Sequence, residues 1–206
     1  MNLELEVLGQ ASQGDSTVRI VLDLGCGSGA ALPSLLSEFD VCVGIDPDSG
    51  ALAAASRRGT GATLICAVGE KLPFRDSVFD HAYVCVSLPY MHCDRALAEL
   101  ARVLRPGASL RMSMHSWEFF RHTLRDWILS GNIKGIAFAG YIAVNGIALH
   151  LGFPQFAYPL KPSRFESVQT ERGILRLLRK HRFTDISFSR PDVRFYANAV
   201  CGTSGF

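Results

Sequence analysis

Five residues near the start of the chain have the types and spacing to hold a ribose-bearing cofactor: Asp23, Gly25, Gly27, Gly29 and Asp46. The first four lie in V-L-D-L-G-C-G-S-G, Val21 to Gly29, an apolar run ending in three glycines spaced two apart. Glycine permits positive φ and close backbone approach, and a helix starting just beyond would offer unpaired N–H groups to a ligand. Asp23 adds a charged acceptor. Seventeen positions after Gly29, a second apolar run, Val41 to Ile45, ends in Asp46. A carboxylate at the end of a second strand can accept hydrogen bonds from both ribose hydroxyls, which is the logic of the dinucleotide fingerprint. The glycines, however, read G-x-G-x-G rather than G-x-G-x-x-G, and an aspartate stands two residues before the first, so the pattern points away from nicotinamide. The plain alternative is a tight turn between strand and helix.

The elements that must position these residues follow from apolar periodicity. Strands are expected near 19–24, 41–46 and 62–67, with helices near 30–38 and 48–57 between them. A fourth strand at Phe79–Val86 and a fifth at Ser109–Met114 flank a helix near Asp94–Leu104 that stops at Pro106 and Gly107. Alternation of this kind implies right-handed crossovers and a parallel sheet, with ligands bound where the strands end. Asp46, Gly69, Ser87 and His115 then share one edge. Asp76 and Asp80 bracket the turn into the fourth strand and read as turn aspartates bonding their own backbone.

Four segments in order, D-L-G-C-G-S-G at Asp23–Gly29, V-G-I-D-P at Val43–Pro47, G-E-K-L-P-F-R-D-S-V-F-D at Gly69–Asp80 and R-V-L-R-P-G-A at Arg102–Ala108, resemble the Rossmann-like S-adenosylmethionine-dependent methyltransferases. The likeness is to their small-molecule group, which includes the quinone-biosynthesis C-methyltransferases, and it covers roughly residues 19–114. It implies an α/β fold with a seven-stranded, mostly parallel sheet of order 3-2-1-4-5-7-6, the last strand antiparallel, and S-adenosylmethionine as cofactor. The cofactor residues it implies are Asp23, Gly25, Cys26, Gly27, Gly29, Asp46, Pro47, Val68, Gly69, Glu70 and Ser87. Val68 departs from the pattern, because many relatives place an aspartate there for the adenine amino group. Cys26 is read as structural, contributing its backbone. Glu70 is equally a surface residue or cap. The tetrapeptide S-L-P-Y, Ser87 to Tyr90, faintly resembles the amine-binding motif of N-methyltransferases, although Leu88 breaks it.

An activated methyl on a sulfonium asks the protein mainly to align the acceptor and exclude water. A hydroxyl or carbon acceptor also has to lose a proton, and His92 and His115, just after the fourth strand and at the end of the fifth, are the candidate catalytic residues. Each is equally readable as a hydrogen-bonded structural histidine. Tyr90, Trp117, Phe120 and His150 are candidate substrate contacts.

The 206 residues suit one domain with a sizeable core. A net charge of +2 and no basic stripe interleaved with aromatics disfavour nucleic acid. The basic cluster Arg176, Arg179, Lys180, His181 and Arg182 suits a helix C-terminus. None of the six cysteines forms C-x-x-C or another metal spacing, so no metal is expected, and Cys42, Cys66, Cys85 and Cys201 read as buried thiols in strands. Met1 to Val7 lacks the features of a signal peptide, which predicts a cytoplasmic protein.

Between the fifth strand and the last helix, the segment 116–169 exceeds a simple crossover and is where substrate recognition is expected. Trp117–Leu129 has helical spacing, with Phe120, Leu124, Trp127 and Ile128 on one side. Gly135–Phe153 runs nineteen residues without Asp, Glu, Lys or Arg. Gly140, Asn145, Gly146, His150 and Gly152 argue against a transmembrane span. A helical lid over an apolar pocket fits better, for a hydrophobic or aromatic acceptor, with contact to a membrane surface. Alternatively the segment thickens the core or buries a homodimer contact. Phe156–Phe165 reads as an extended connector, Thr170–His181 as a helix, and Phe183–Ser189 and Arg194–Cys201 as the last strands, joined around Pro191 and Asp192. Two functions remain: O- or C-methylation of a small acceptor, and a non-catalytic Rossmann-like partner module. N-methylation and a dehydrogenase are lesser alternatives.

Overall fold

The computed structural model describes residues 18–115, 117–191 and 194–202. The expectations for Met1–Val7 and for Asp192 fall outside them.

Strands β1 (Ile20–Leu24), β2 (Val41–Asp46), β3 (Thr63–Cys66), β4 (Phe79–Cys85), β5 (Leu104–His115), β6 (Phe183–Ser189) and β7 (Arg194–Cys201) form one sheet of order β3-β2-β1-β4-β5-β7-β6. The first five run parallel to one another, and β7 is antiparallel to both β5 and β6, as the resemblance implied. The helices are α1 (Leu32–Glu38), α2 (Ser49–Arg57), α3 (Cys93–Val103), α4 (Trp117–Leu129), α5 (Ile133–Leu151) and α6 (Glu171–Lys180).

Strand alternation divides the core into two layers. Ile20, Leu22 and Leu24 of β1 face one side with Val43, Ile45, Leu97, Leu100, Ile174 and Leu178, beneath α3 and α6. Val21 faces the other with Leu32, Leu35, Cys42, Leu52 and Ala55, beneath α1 and α2. Asp23 falls on the Val21 face, at the carboxyl end of β1. The crossovers leave β1 in one direction and β4 in the other, so the cleft between these two strands is the topological switch point at which open α/β sheets bind ligands.

α2 begins at Asp48, whose carboxylate accepts from the N–H groups of Gly50 and Ala51. α6 begins at Thr170, whose hydroxyl accepts from Gly173. α4 and α5 enclose a small core of their own, with Phe120, Ala139, Tyr141, Ile142 and Val168 buried together. Asn145, fully buried in α5, donates to the carbonyls of Phe156 and Glu166 and accepts from the N–H of Phe156, binding the helix to the connector behind it.

Three expectations need correction. Asp76 and Asp80 do not bond their own turn: Asp76 pairs with Arg102, while Asp80 accepts from the Ile20 N–H and pairs with Arg105. Turn propensity cannot register partners that only the folded sheet brings near. Cys66 is exposed rather than buried, because β3 is an edge strand, and Cys85, the last residue of β4, is only half-buried. β5 starts at Leu104 instead of Ser109; the chain leaves α3 directly in extended form, and the register shift between Phe79 and His81 absorbs Pro106 and Gly107.

Candidate active site

The loop after β1 takes the conformation its glycines permit, with φ of +76° at Gly25, +52° at Gly27 and +78° at Gly29. Four of its own N–H groups are engaged within the protein. Those of Gly25 and Cys26 both donate to the Ile45 carbonyl, that of Gly29 to Cys26, and that of Gly27 to Asp46 Oδ2 at 2.9 Å. The loop is thereby fastened to the end of β2. Asp46 completes the joint by accepting from the Asp48 N–H through its other oxygen.

Asp23 is 1% exposed, and its Oδ2 has no hydrogen-bond partner among the described residues. Burial, and then the Asp46 carboxylate, push its pKa up to about 7. Burial, followed by the charges of Asp23 and Asp46, raises the Cys26 thiol to about 12, so Cys26 remains a thiol and not a nucleophile.

A cavity of about 530 Å³ opens at the carboxyl ends of β1, β2 and β4. Gly25, Asp46, Pro47, Val68, Gly69, Glu70 and Ser87 of the expected cofactor set line it, joined by Tyr90 and Met91. Val68 is 48% exposed and offers an apolar wall where a carboxylate would offer an acceptor. Glu70 uses Oε1 to accept from the His92 N–H, fixing the loop after β4. Glu99 and Arg102 hold the chain that follows it: Glu99 accepts from the Leu72 N–H, and Arg102 donates to the carbonyls of Leu72 and Phe74. Ser87 donates its hydroxyl to the Leu24 carbonyl, and Leu88 is fully buried.

A second cavity, of about 270 Å³, lies between the end of β5 and helices α4 and α5. His115, Phe119, Phe120, Trp127, Ile142 and Val168 give it an apolar wall, and Glu166 and Ser167 come from the connector. Tyr90 lines both cavities and so stands where they meet. His115 stacks on Phe119 with ring centroids 3.9 Å apart, and its Nδ1 is buried without a hydrogen-bond partner among the described residues. Burial, then the Arg194 charge, lower its pKa, which keeps the imidazole neutral at pH 7.

The other candidates are placed elsewhere. His92 caps α3, its Nδ1 accepting from the Arg95 N–H while its ring packs edge-on against Phe165; it lines neither cavity. His150 bonds Thr170 through Nδ1, at the far end of α5. Trp117 is 46% exposed and lines neither cavity, although it packs against Phe120. Lys161, Ser163 and Arg164, at the mouth of the first cavity, were missed. Their stretch reads only as a proline-bounded connector, and the one available signal is that its two cations follow a long run without acids.

An orphaned carboxylate oxygen, a carboxylate at the end of β2 and glycine surfaces where a Cβ would not fit suit an adenosyl amino acid, whose ribose and ammonium call for acceptors. A Cβ on Gly69 would lie 2.6 Å from Met91 Sδ, and one on Gly25 2.2 Å from Ser87 Cβ. Residues 22–112 match the methyltransferase domain family profile. The chain is 38% identical over 97 residues to a demethylmenaquinone methyltransferase of Corynebacterium urealyticum, an alignment covering 47% of this chain and 41% of that protein. It is 35% identical over 101 residues to an O-methyltransferase of Aspergillus nomiae, covering 45% of each. The chain thus spans less than half the length of these curated relatives. A solved S-adenosylmethionine-dependent methyltransferase of Methanosarcina mazei shares the fold over 96% of this chain and 98% of its own, with a TM-score of 0.59 at 21% identity. Matched segment and strand order agree: over residues 22–112 the chain is similar to the methyltransferase domain family, and it shares the fold of the solved methyltransferase over nearly its whole length.

Proposed function

We propose that the protein transfers a methyl group from S-adenosylmethionine to a hydroxyl or carbon of a small apolar or aromatic acceptor. The observation that carries this reading is the junction at Tyr90 of two unlike cavities, one rimmed by Gly25 and Asp46, the other apolar with a neutral histidine in its wall. Asp46 and Asp23 supply acceptors for the ribose and the ammonium, and Val68, Gly69 and Met91 supply walls for the base. When bound, the cofactor provides a methyl group activated by a positive sulfur.

The chain's own residues do the rest. Helices α4 and α5 act as a lid that excludes water from the acceptor, and Phe119, Phe120 and Trp127 hold a flat apolar body. His115, neutral and in the cavity wall, takes the acceptor's proton. Tyr90 keeps the acceptor at the junction.

Calorimetric titration with S-adenosylmethionine, S-adenosylhomocysteine and NADH tests the cofactor assignment. Both adenosyl compounds should bind and NADH should not. Asp46→Ala removes the ribose acceptor and two hydrogen bonds that shape the loop, and should weaken adenosyl binding by at least about tenfold. No adenosyl binding to the wild type would sink the proposal. Once a turned-over acceptor is in hand, His115→Gln should lower kcat by about a hundredfold with unchanged adenosyl affinity, and should remove the ionisation from the acid limb of the rate profile. An unaltered pH profile would reduce His115 to part of the pocket wall.

A further inference from the structure

We propose that the outer face of α5 docks on an anionic lipid bilayer, with the helix lying in the surface and not crossing it. Ile133, Ile136, Gly140, Val144, Ile147 and Leu151 recur at spacings of three and four and form one outward stripe. The large side chains among them are 36–79% exposed. Of the fourteen exposed large hydrophobic residues among those described, ten lie between Ile128 and Leu160. Concentration of this kind marks an interaction surface, whereas scattered apolar residues do not.

The charges choose the occupant. From Trp127 to Phe165 the sequence holds no aspartate or glutamate. Lys134 follows directly on Ile133 at one end of the stripe. At the other, Arg176 donates from Nη1 to the His150 carbonyl and lies against Gly152, beside exposed Phe153. An apolar ridge with a cation at each end and no acid along it complements a sheet of anionic headgroups over apolar tails. A second copy of the chain is disfavoured by the same charges. Two-fold pairing along the stripe sets Lys134 against Lys134 when the helices run parallel, and against the Arg176 end when they run antiparallel, with no acid along the stripe to balance either.

A span is disfavoured by the inner face. α5 is long and apolar enough to cross a membrane by length and composition. Yet Tyr141 and Asn145 are buried and hydrogen-bonded to the connector, and Gly146 is pressed against Val168, where a Cβ would come within 2.4 Å of the valine side chain. Crossing would strip those bonds away. The same helices wall the second cavity, so a bilayer-dissolved acceptor would need to travel only through α4 and α5. That route rests on the methyltransferase reading; the docking does not.

Sedimentation of the full chain with vesicles of phosphatidylcholine alone, or mixed with phosphatidylglycerol, is the test. Binding is expected to the mixed vesicles, weakening as salt rises. The double variant Ile136→Glu, Ile147→Glu, both surface positions outside either cavity, should lose binding by at least about tenfold. Lys134→Glu, with the stripe intact, should lose at least about fivefold. S-adenosylhomocysteine titration of both variants should match the wild type, which separates failure of docking from failure of the cofactor assignment. No binding to mixed vesicles overturns the proposal. So does a stable dimer in sedimentation equilibrium that the double variant dissociates, since the stripe would then be covered by a second copy.

Discussion

Asp23→Asn is expected to make the cofactor-free protein more stable at pH 8 by about 4 kcal/mol, or roughly 10 °C in melting temperature, while weakening its hold on adenosyl ligands. The carboxylate sits at the end of β1 on the α1 and α2 side of the sheet, fully buried, with Oδ2 unpartnered and the Asp46 carboxylate near enough to oppose its charge. A buried charge without a partner is costly, so the folded protein holds on to the proton and the pKa rises from 3.8 to about 7. Because the folded state binds the proton more tightly than the unfolded chain, the stability associated with this group is full below about pH 4. It falls as pH rises toward 7 and stays at its lowest above that. Asparagine cannot ionise, so its advantage over wild type should be close to zero at pH 4 and complete at pH 8. Chemical denaturation of both proteins at the two pH values isolates the difference from all other titrating groups. A difference that does not change with pH would mean that Asp23 is charged and satisfied in the folded protein. In the same variant the ammonium of an adenosyl amino acid loses a charged acceptor, and affinity should fall by at least about tenfold. Stability gained as binding is lost is the expected signature of a group retained for its ligand.

The glycine loop, Asp46 and the parallel half of the sheet were legible because their signals are local. The loop glycines with positive φ stand where the turn requires them, and the apolar runs of β1 and β2 become buried strands. What the sequence concealed is contact across distance. Nothing near Asp80 announces Ile20 and Arg105 as its partners, and nothing near Glu70 announces the backbone of His92. His92 and His115 are alike on paper, each following a strand that ends at the cleft. Folding separates them: His92 becomes a helix cap, and His115 keeps an unpartnered nitrogen in a cavity wall. An apolar pocket under the segment 116–169 could be expected, but not its full lining, which comes from the loop after β4, the end of β5, two helices and the connector. The apolar length of α5 could be read, but not which of its faces would be covered.

Gly25→Ala is expected to destabilise the protein by more than about 3 kcal/mol and to abolish adenosyl binding with it, whereas Gly27→Ala should cost only about 1 kcal/mol. Both glycines have positive φ, so both substitutions carry the backbone penalty of a left-handed residue. They differ in what surrounds them. A Cβ on Gly27 would meet nothing within 4 Å, while one on Gly25 would lie 2.2 Å from Ser87 Cβ and 2.7 Å from its Oγ. Neither side can yield. Gly25 and Cys26 both donate to the Ile45 carbonyl, and Ser87 is fixed by its own bond to the Leu24 carbonyl and by accepting from the Tyr90 N–H. Separation of the loops after β1 and β4 would relieve the overlap, and those two loops form the floor of the first cavity. Removing the opposing side chain makes the cause testable. Ser87→Gly alone should lose about 1 kcal/mol with its hydrogen bond, yet the double variant with Gly25→Ala should lose only about 2 kcal/mol, less than Gly25→Ala alone, giving a coupling of about 2 kcal/mol. Additive losses in that cycle would show that the loop strain, and not the approach of Gly25 to Ser87, sets the cost. A recovered fold that binds S-adenosylhomocysteine again would show that the two loops need only be in contact, with no side chain between them, to form the cofactor floor.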